Sequence, residues 1–373
     1  MRTERTNAHK AGQFNLITWI QLAFAVAAVV LIVFAANMAW GDIPRLSDGK
    51  PDLSGYYDTA TITPFERRGS SDDFLSEAQV EQNAQRSATW RARDLEGSDP
   101  NREAPPVGGD GSPGAAGNVG GYNAFWVDPG EDNFEIDGKY PTSIVIDPPN
   151  GRLPDMTEAA QERRRAAFRL GGDYGRRNDG TAWWYPGPGP YDNPEVRPYP
   201  DRCLSGFGST AGPPMLSTLY NNHKRIVQTP GHVMILTEMV HDARIVRMNG
   251  EHAPDEVRRW FGDSIGWWED DTLVVETTNF TDRPNFGRGT TRDLRVVERF
   301  SRIDEDTLLY NFTVEDPNVW ERPFTGQYSW RQTDEPVYEY ACHEGNYSMF
   351  GILDGARRLE REAMERAAED SGD

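Results

Sequence analysis

Between residues 224 and 341 the chain is a series of short β-type runs separated by compact turns, and this pattern sets the fold class. Residues 225–229 meet 233–238 across Pro230-Gly231, and 243–248 end at Asn249-Gly250, a strong short-range hairpin signal. Residues 264–268 and 272–278 flank Glu269-Asp270-Asp271, while 294–302 and 307–315 flank Asp304-Glu305-Asp306. Runs at 324–331 and 336–341 complete the series. Leu308, Tyr310, Phe312 and Val314 alternate with Leu309, Asn311, Thr313 and Glu315, the period of a half-buried strand. The series predicts a mostly β fold, an antiparallel meander closing into a calycin-like barrel or curved sheet. About eight strands would enclose an interior able to hold one small ligand.

Upstream, the readings are shorter. Residues 51–57 read as a strand after a turn. Ser76 and Gln79 form a capping-box pattern opening a polar helix that runs to about residue 95. Residues 105–121 are a Gly/Pro-rich loop, and 134–147 read as a hairpin turning at Asp137-Gly138 with 143–146 as its second arm. Thr157 caps an arginine-rich helix through residue 170, and an aromatic Gly/Pro-dense loop covers 183–200. Residues 354–369, rich in Ala, Glu, Arg and Leu, predict a peripheral C-terminal helix.

At the N-terminus, Arg2, Arg5 and Lys10 precede a run over 22–36 without a polar residue, extended upstream by Leu16, Ile17, Trp19 and Ile20. That is the pattern of a signal peptide or a signal anchor, a hydrophobic helix just long enough to span a membrane. Charge before it keeps the N-terminus cytoplasmic and sends the rest outward. The organisation predicted is a targeting segment over 1–40, a loop-rich part over 41–200, a β core over 201–346 and a helix over 347–373.

The net charge is −20, and because the first forty residues carry +2 the remainder carries −22. Such a surface repels nucleic acid and anionic lipid, so the expected partner is a small molecule. Contact with a membrane would come only through an uncleaved N-terminal segment. Oligomeric state is not legible. The two cysteines, Cys203 and Cys342, both follow the hydrophobic segment, and an even pair in an oxidising compartment reads as a disulfide, the alternative being two buried thiols.

Several short motifs lie along the second half of the chain. They include Arg202-Cys203-Leu204, Tyr220-Asn221-Asn222, Glu238-Met239, His241-Asp242-Ala243-Arg244, Gly262-Asp263-Ser264, Trp268-Glu269 and Cys342-His343-Glu344-Gly345-Asn346-Tyr347. Together with Pro51-Asp52-Leu53-Ser54-Gly55 they resemble an uncharacterised family of exported bacterial proteins. The resemblance implies a secreted β-rich domain and carries no activity.

Five of the six His lie between His223 and His343. Glu238, His241, Asp242 and Arg244 stand where one strand turns into the next. There an imidazole beside a carboxylate can serve as a general base and an Arg can hold an anion. Hydrogen bonds that merely hold the turn are the alternative. His343 and Glu344 follow the last run; they resemble part of a zincin motif, but Tyr347 occupies the place of its second His, so no metal is assigned. Tyr220-Asn221-Asn222-His223 would hold substrate polar groups or simply make a turn. Trp260 and Trp268 would line an aromatic pocket or belong to the core. The absence of a P-loop and of a strand-to-helix dinucleotide fingerprint lowers the odds for an NTPase or a Rossmann enzyme, and the chemistry expected is cofactor-free.

The reading that follows is an exported barrel enzyme doing acid/base chemistry on a small, largely apolar molecule. Its catalytic set would be His241, His343, Glu238, Asp242 and Glu344, with Arg244, Asn222, His223, Trp260, Trp268 and Tyr347 binding substrate. Two other readings compete: a carrier of a hydrophobic ligand, and a structural partner using the arginine-rich and C-terminal helices.

Overall fold

The computed structural model describes residues 43–69, 72–94, 127–174, 193–197, 199–206, 212–281, 286 and 288–371. The N-terminal hydrophobic segment, the 105–121 loop and most of the 183–200 loop lie outside the described residues. Among those described, no helix is long and apolar enough to cross a membrane.

The strands are β1 (Gly55–Asp58), β2 (Phe74–Leu75), β3 (Tyr140–Pro141), β4 (Val145–Asp147), β5 (His223–Gln228), β6 (His232–Thr237) and β7 (Ala243–Met248). They continue as β8 (Asp263–Glu269), β9 (Thr272–Thr278), β10 (Arg295–Arg302), β11 (Thr307–Glu315) and β12 (Phe324–Gln332). Nine of them, β1 and β5 to β12, form a closed barrel, because β1 pairs with β5 on one side and β12 on the other. Closure leaves no open edge along most of the sheet. The small strand β4 adds to the opposite end of β12, and β2 pairs with β3 apart from the barrel.

Among the described residues there are three α-helices outside the barrel: α1 (Glu77–Asp94), α2 (Glu158–Tyr174) and α3 (Tyr347–Ser371). The capping box forms as predicted. Ser76 N–H donates to Gln79 Oε1 at 2.9 Å, and Gln79 N–H donates to Ser76 Oγ at 3.4 Å. Thr157 Oγ1 accepts the N–H of Ala160 at 3.2 Å and so caps α2. The last helix begins at Tyr347, at the start of the predicted C-terminal helical region and seven residues before its Ala-, Glu-, Arg- and Leu-rich run.

Three local readings fail. Asn249-Gly250 does not close a hairpin: β7 and β8 run parallel, with Arg247 opposite Ile265, and residues 249–262 form the crossover. The buried Asp263 carboxylate holds that crossover by accepting from Arg247, His252 Nδ1 and the N–H of Ala253, and these contacts outweigh local turn chemistry. Of the hairpin over 134–147 only the turn at Asp137-Gly138 forms, with Ile136 bridging Lys139, while 143–146 do not serve as its second arm because β4 joins β12. Residues 336–341 form no strand. The edge of β12 at Arg331 and Gln332 is already taken by β1, which leaves this segment nothing to pair with.

Inward positions follow the period of two. Phe300, Tyr310, Phe312, Tyr328 and Trp330 are fully buried, and Tyr310 stands 4.7 Å from Trp330 and 5.1 Å from Phe300 between ring centroids. Burying each such ring contributes roughly 1.5–3 kcal/mol. Gly326 makes this packing possible, because a Cβ there would sit 2.3 Å from Cζ of Phe312, its cross-strand partner. A charged layer also lies inside. Arg244 is bidentate to Glu298, with Nη2 to Oε1 at 2.9 Å and Nη1 to Oε2, and the Tyr310 hydroxyl donates to Glu298 at 2.7 Å. Met215 closes the layer: its N–H donates to the Tyr310 hydroxyl at 2.9 Å, and its carbonyl accepts from Tyr328 at 3.0 Å.

Candidate functional site

Strand register gathers chemistry at one mouth of the barrel. Asp58 at the end of β1 lies opposite His223 on β5 and opposite Arg331 on β12. Around them opens a cleft of about 360 Å³, its rim completed by Arg91 of α1, by residues 128 and 130–134, and by Thr333 and Glu335 beyond β12. The lining holds five carboxylates, on Asp58, Asp128, Glu131, Asp132 and Glu335, against the guanidinium groups of Arg91 and Arg331. Arg91 is itself paired with Glu131 and lies 3.6 Å from Asp128, so the cleft is net negative. Gly130 is required on this rim: its φ is +97, and a Cβ would stand 2.6 Å from the backbone N of Thr61.

His223 sits between two carboxylates. Its Nδ1 is 3.8 Å from Oε2 of Glu238, and its Nε2 is 3.8 Å from Oε2 of Glu335. The buried Nδ1 has no hydrogen-bond partner, so no hydrogen bond at that atom locks the ring. Glu238 is buried, and its placement is over-determined. Its N–H donates to the His223 carbonyl at 3.0 Å, its Oε2 accepts the His223 N–H at 3.4 Å, and its Oε1 accepts the Tyr338 N–H at 3.3 Å. The turn just after it carries Val240 at φ +60 and His241 at φ +48. Left-handed backbone at a buried β-branched residue is costly and persists only where the surroundings impose it.

The strap that supplies Glu335 and Tyr338 crosses this mouth and ends at Cys342, which is bonded to Cys203 with an S–S distance of 2.04 Å. The Asn346 side chain donates to the Asp201 carbonyl at 3.4 Å, fastening the same corner. A disulfide of this kind is consistent with an oxidising, extracytoplasmic compartment.

Electrostatics in the mouth depart from solution behaviour. Burial, reinforced by Asp128 and Glu335, raises the Asp58 carboxyl above the usual aspartate range, although the Ala60 N–H and His223 oppose the shift. Behind Asp58 and Glu238, Lys224 faces the interior, fully buried, and its Nζ has no hydrogen-bond partner. Burial pulls its ammonium down to about 7 against the opposing influence of Glu238 and Asp58. Asp242, whose buried Oδ2 is unpartnered, is pushed up to about 7 by burial.

The residues singled out from sequence are distributed unevenly. Glu238 and His223 meet in the mouth, and Asn222 supports it from beneath. The Asn222 side chain accepts from Thr218 N–H at 2.8 Å and donates to the Asp128 carbonyl at 2.9 Å, fixing the rim. Arg244 is a buried structural partner of Glu298 inside the barrel. His241, His343, Glu344 and Tyr347 are exposed, and among the described residues none of the four makes a side-chain hydrogen bond or ion pair with another or with Arg244. Trp260 is exposed and stacks on Tyr199 at 5.1 Å, while Trp268 packs partly buried against the core. Asp58, Lys224 and Glu335 were not anticipated. For Lys224 a signal existed, since it shares the inward period with Ile226. Among the described residues, no group of three or more His, Cys, Asp or Glu is arranged to hold a metal ion.

No protein-family model, curated protein or solved structure matches this chain.

Proposed function

We propose that this is an exported barrel enzyme that performs acid/base chemistry in the polar mouth, with His223 as the base. Glu238 and Glu335 orient the imidazole and stabilise the imidazolium that forms when it takes a proton. Asp58, kept protonated more readily by burial, stands on the neighbouring strand to return a proton to the leaving or rearranging group. Elimination, isomerisation or hydrolysis balances with that pair. The chain resembles the exported family named above in its C-terminal motifs, and its acidic surface and disulfide suit the periplasm.

The observation that carries the reading is His223, held 3.8 Å from each of two carboxylates beside a cleft that Asp58 also lines. Because the lining is charged and net negative, it favours a small polar molecule bearing positive charge over the apolar one suggested by sequence. The carrier of a hydrophobic ligand is disfavoured by an interior occupied by Phe300, Tyr310, Tyr328, Trp330, Met215 and the Arg244–Glu298 pair.

The test is to incubate the oxidised protein with small-molecule extract of a bacterial envelope and follow all components by chromatography and mass spectrometry. Consumption of one component with matching appearance of a product supports the enzyme. A component that is retained by the protein and released unchanged on denaturation supports a carrier and overturns the reading.

A further inference from the structure

At the other end of β12 from the mouth, roughly 20 Å away at 3.4 Å per residue, the surface has the opposite character. Phe65 packs there on Phe324 at 6.2 Å between ring centroids. Beside it a cavity of about 380 Å³ is lined by Phe65, Glu66, Arg67, Arg68, Arg152 and Arg288. Four guanidinium groups face one carboxylate in a protein of net charge −20. Nothing in the acid/base site uses them.

The cavity is built into the fold. Arg67 is mostly buried, donates its N–H to the Gly151 carbonyl at 2.8 Å and pairs with Asp73 at 2.7 Å, yet its buried Nε has no hydrogen-bond partner. Gly151 leaves room for that side chain. Its φ is +67, and a Cβ would stand 2.9 Å from Cβ and from Nε of Arg67. Arg288 lies 4.3 Å over the Phe65 ring, and burial pulls its pKa below the usual arginine value. Glu66 only partly compensates. It lies 3.9 Å from Arg288, and its other oxygen accepts the Leu153 N–H at 3.0 Å. The side chains of Arg68 and Arg152 have no hydrogen bond or ion pair among the described residues.

A buried donor without a partner costs free energy, and so does a partly desolvated cation with a distant counterion. One ligand relieves both. We infer that this cavity is a binding site for a phosphate group, cradled by Arg68, Arg152 and Arg288 with Arg67 at its back. Guanidinium forks match phosphate oxygens in pairs, and several of them outbid the solvent where a single surface cation does not.

The experiment titrates inorganic phosphate into the full-length oxidised protein by calorimetry, with chloride matching the ionic strength, and repeats it with the Arg68→Gln/Arg152→Gln double variant. Both residues are exposed, and an unchanged thermal midpoint would show that the variant is folded. Saturable one-site binding, weakened at least tenfold in the variant, is the expected result. Phosphatidylglycerol vesicles in a flotation assay form a second arm. Flotation lost in the same variant makes the source a lipid headgroup, and no flotation makes it a soluble phosphate; both outcomes keep the site. No phosphate binding above the chloride control, or equal binding by the variant, overturns it.

Discussion

Glu238 and Tyr338, a hundred residues apart in sequence, are joined by one hydrogen bond of 3.3 Å from the Tyr338 N–H to Oε1, and the other oxygen of the same carboxylate stands 3.8 Å from His223. The strap after β12 therefore helps to aim the group that aims the imidazole. What anchors the strap is the Cys203–Cys342 bond.

Breaking that bond should loosen the mouth before the barrel. The bridge spans 139 residues of sequence. Closing a loop of that length is worth about 5 kcal/mol in the chain-entropy model. For the Cys203→Ser/Cys342→Ser variant we expect a lower thermal midpoint and faster amide exchange over residues 333–346, with β10 and β11 still protected. Unchanged exchange in the strap would show that the disulfide does not hold it.

Lys224 predicts an unusual pH profile. Its folded value of about 7 lies below that of an unfolded lysine, so between pH 7 and 10 the unfolded chain binds more protons and stability rises with pH. Below pH 7 the full cost of burying the charge is present. Three and a half pH units correspond to roughly 4–5 kcal/mol across the window, an order-of-magnitude figure. Above pH 10 the gain reverses, because burial raises Tyr57, Tyr310 and Tyr328 and the unfolded tyrosines ionise first. Lys224→Met should be more stable than the parent at pH 7 and should lose the rise between 7 and 10. Denaturant unfolding at several pH values measures both.

The Arg244–Glu298 pair should behave as a structural element. Arg244→Met leaves Glu298 charged, buried and still tied to Tyr310, a change that typically costs 3–5 kcal/mol, so about that loss is expected. Replacing Glu298 by Met as well should recover part of the loss, giving a double-mutant cycle with clear coupling. Additive effects would show that the two charges do not depend on each other.

Gly326→Ala should destabilise the protein without touching the mouth. The added carbon meets the Phe312 ring at 2.3 Å, and neither residue can move away within the packed interior. A cost of about 1–3 kcal/mol follows from overpacking. Urea unfolding of the variant checks it.

The barrel was legible because alternation and turns are local. The Leu308–Val314 run and the strands flanking Asp270 and Asp304 each announce themselves within ten residues. Closure into a barrel or curved sheet was expected, but the strand that closes it was not: β1 is only four residues long, and its pairing with both β5 and β12 depends on contacts across more than 160 residues. The parallel β7–β8 pairing was hidden for a different reason: the Asp263 contacts that hold the crossover lie within sixteen residues, but they are side-chain contacts that neither alternation nor turn residues announce. Within the site, proximity in sequence misled. Arg244 lies three residues from His241, yet strand alternation turns it inward while the preceding turn leaves His241 exposed. Asp58 and Glu335 reach His223 only through the closed register.

The most direct test compares His223→Gln with His241→Gln and His343→Gln for turnover of whichever component the envelope screen identifies. A general base contributes roughly 10²- to 10⁴-fold, so His223→Gln should lose activity on that scale. The two exposed-histidine variants should remain within about threefold of the parent, well inside the smallest effect expected of a base. Full activity in His223→Gln, or a loss confined to His241→Gln or His343→Gln, would contradict the account.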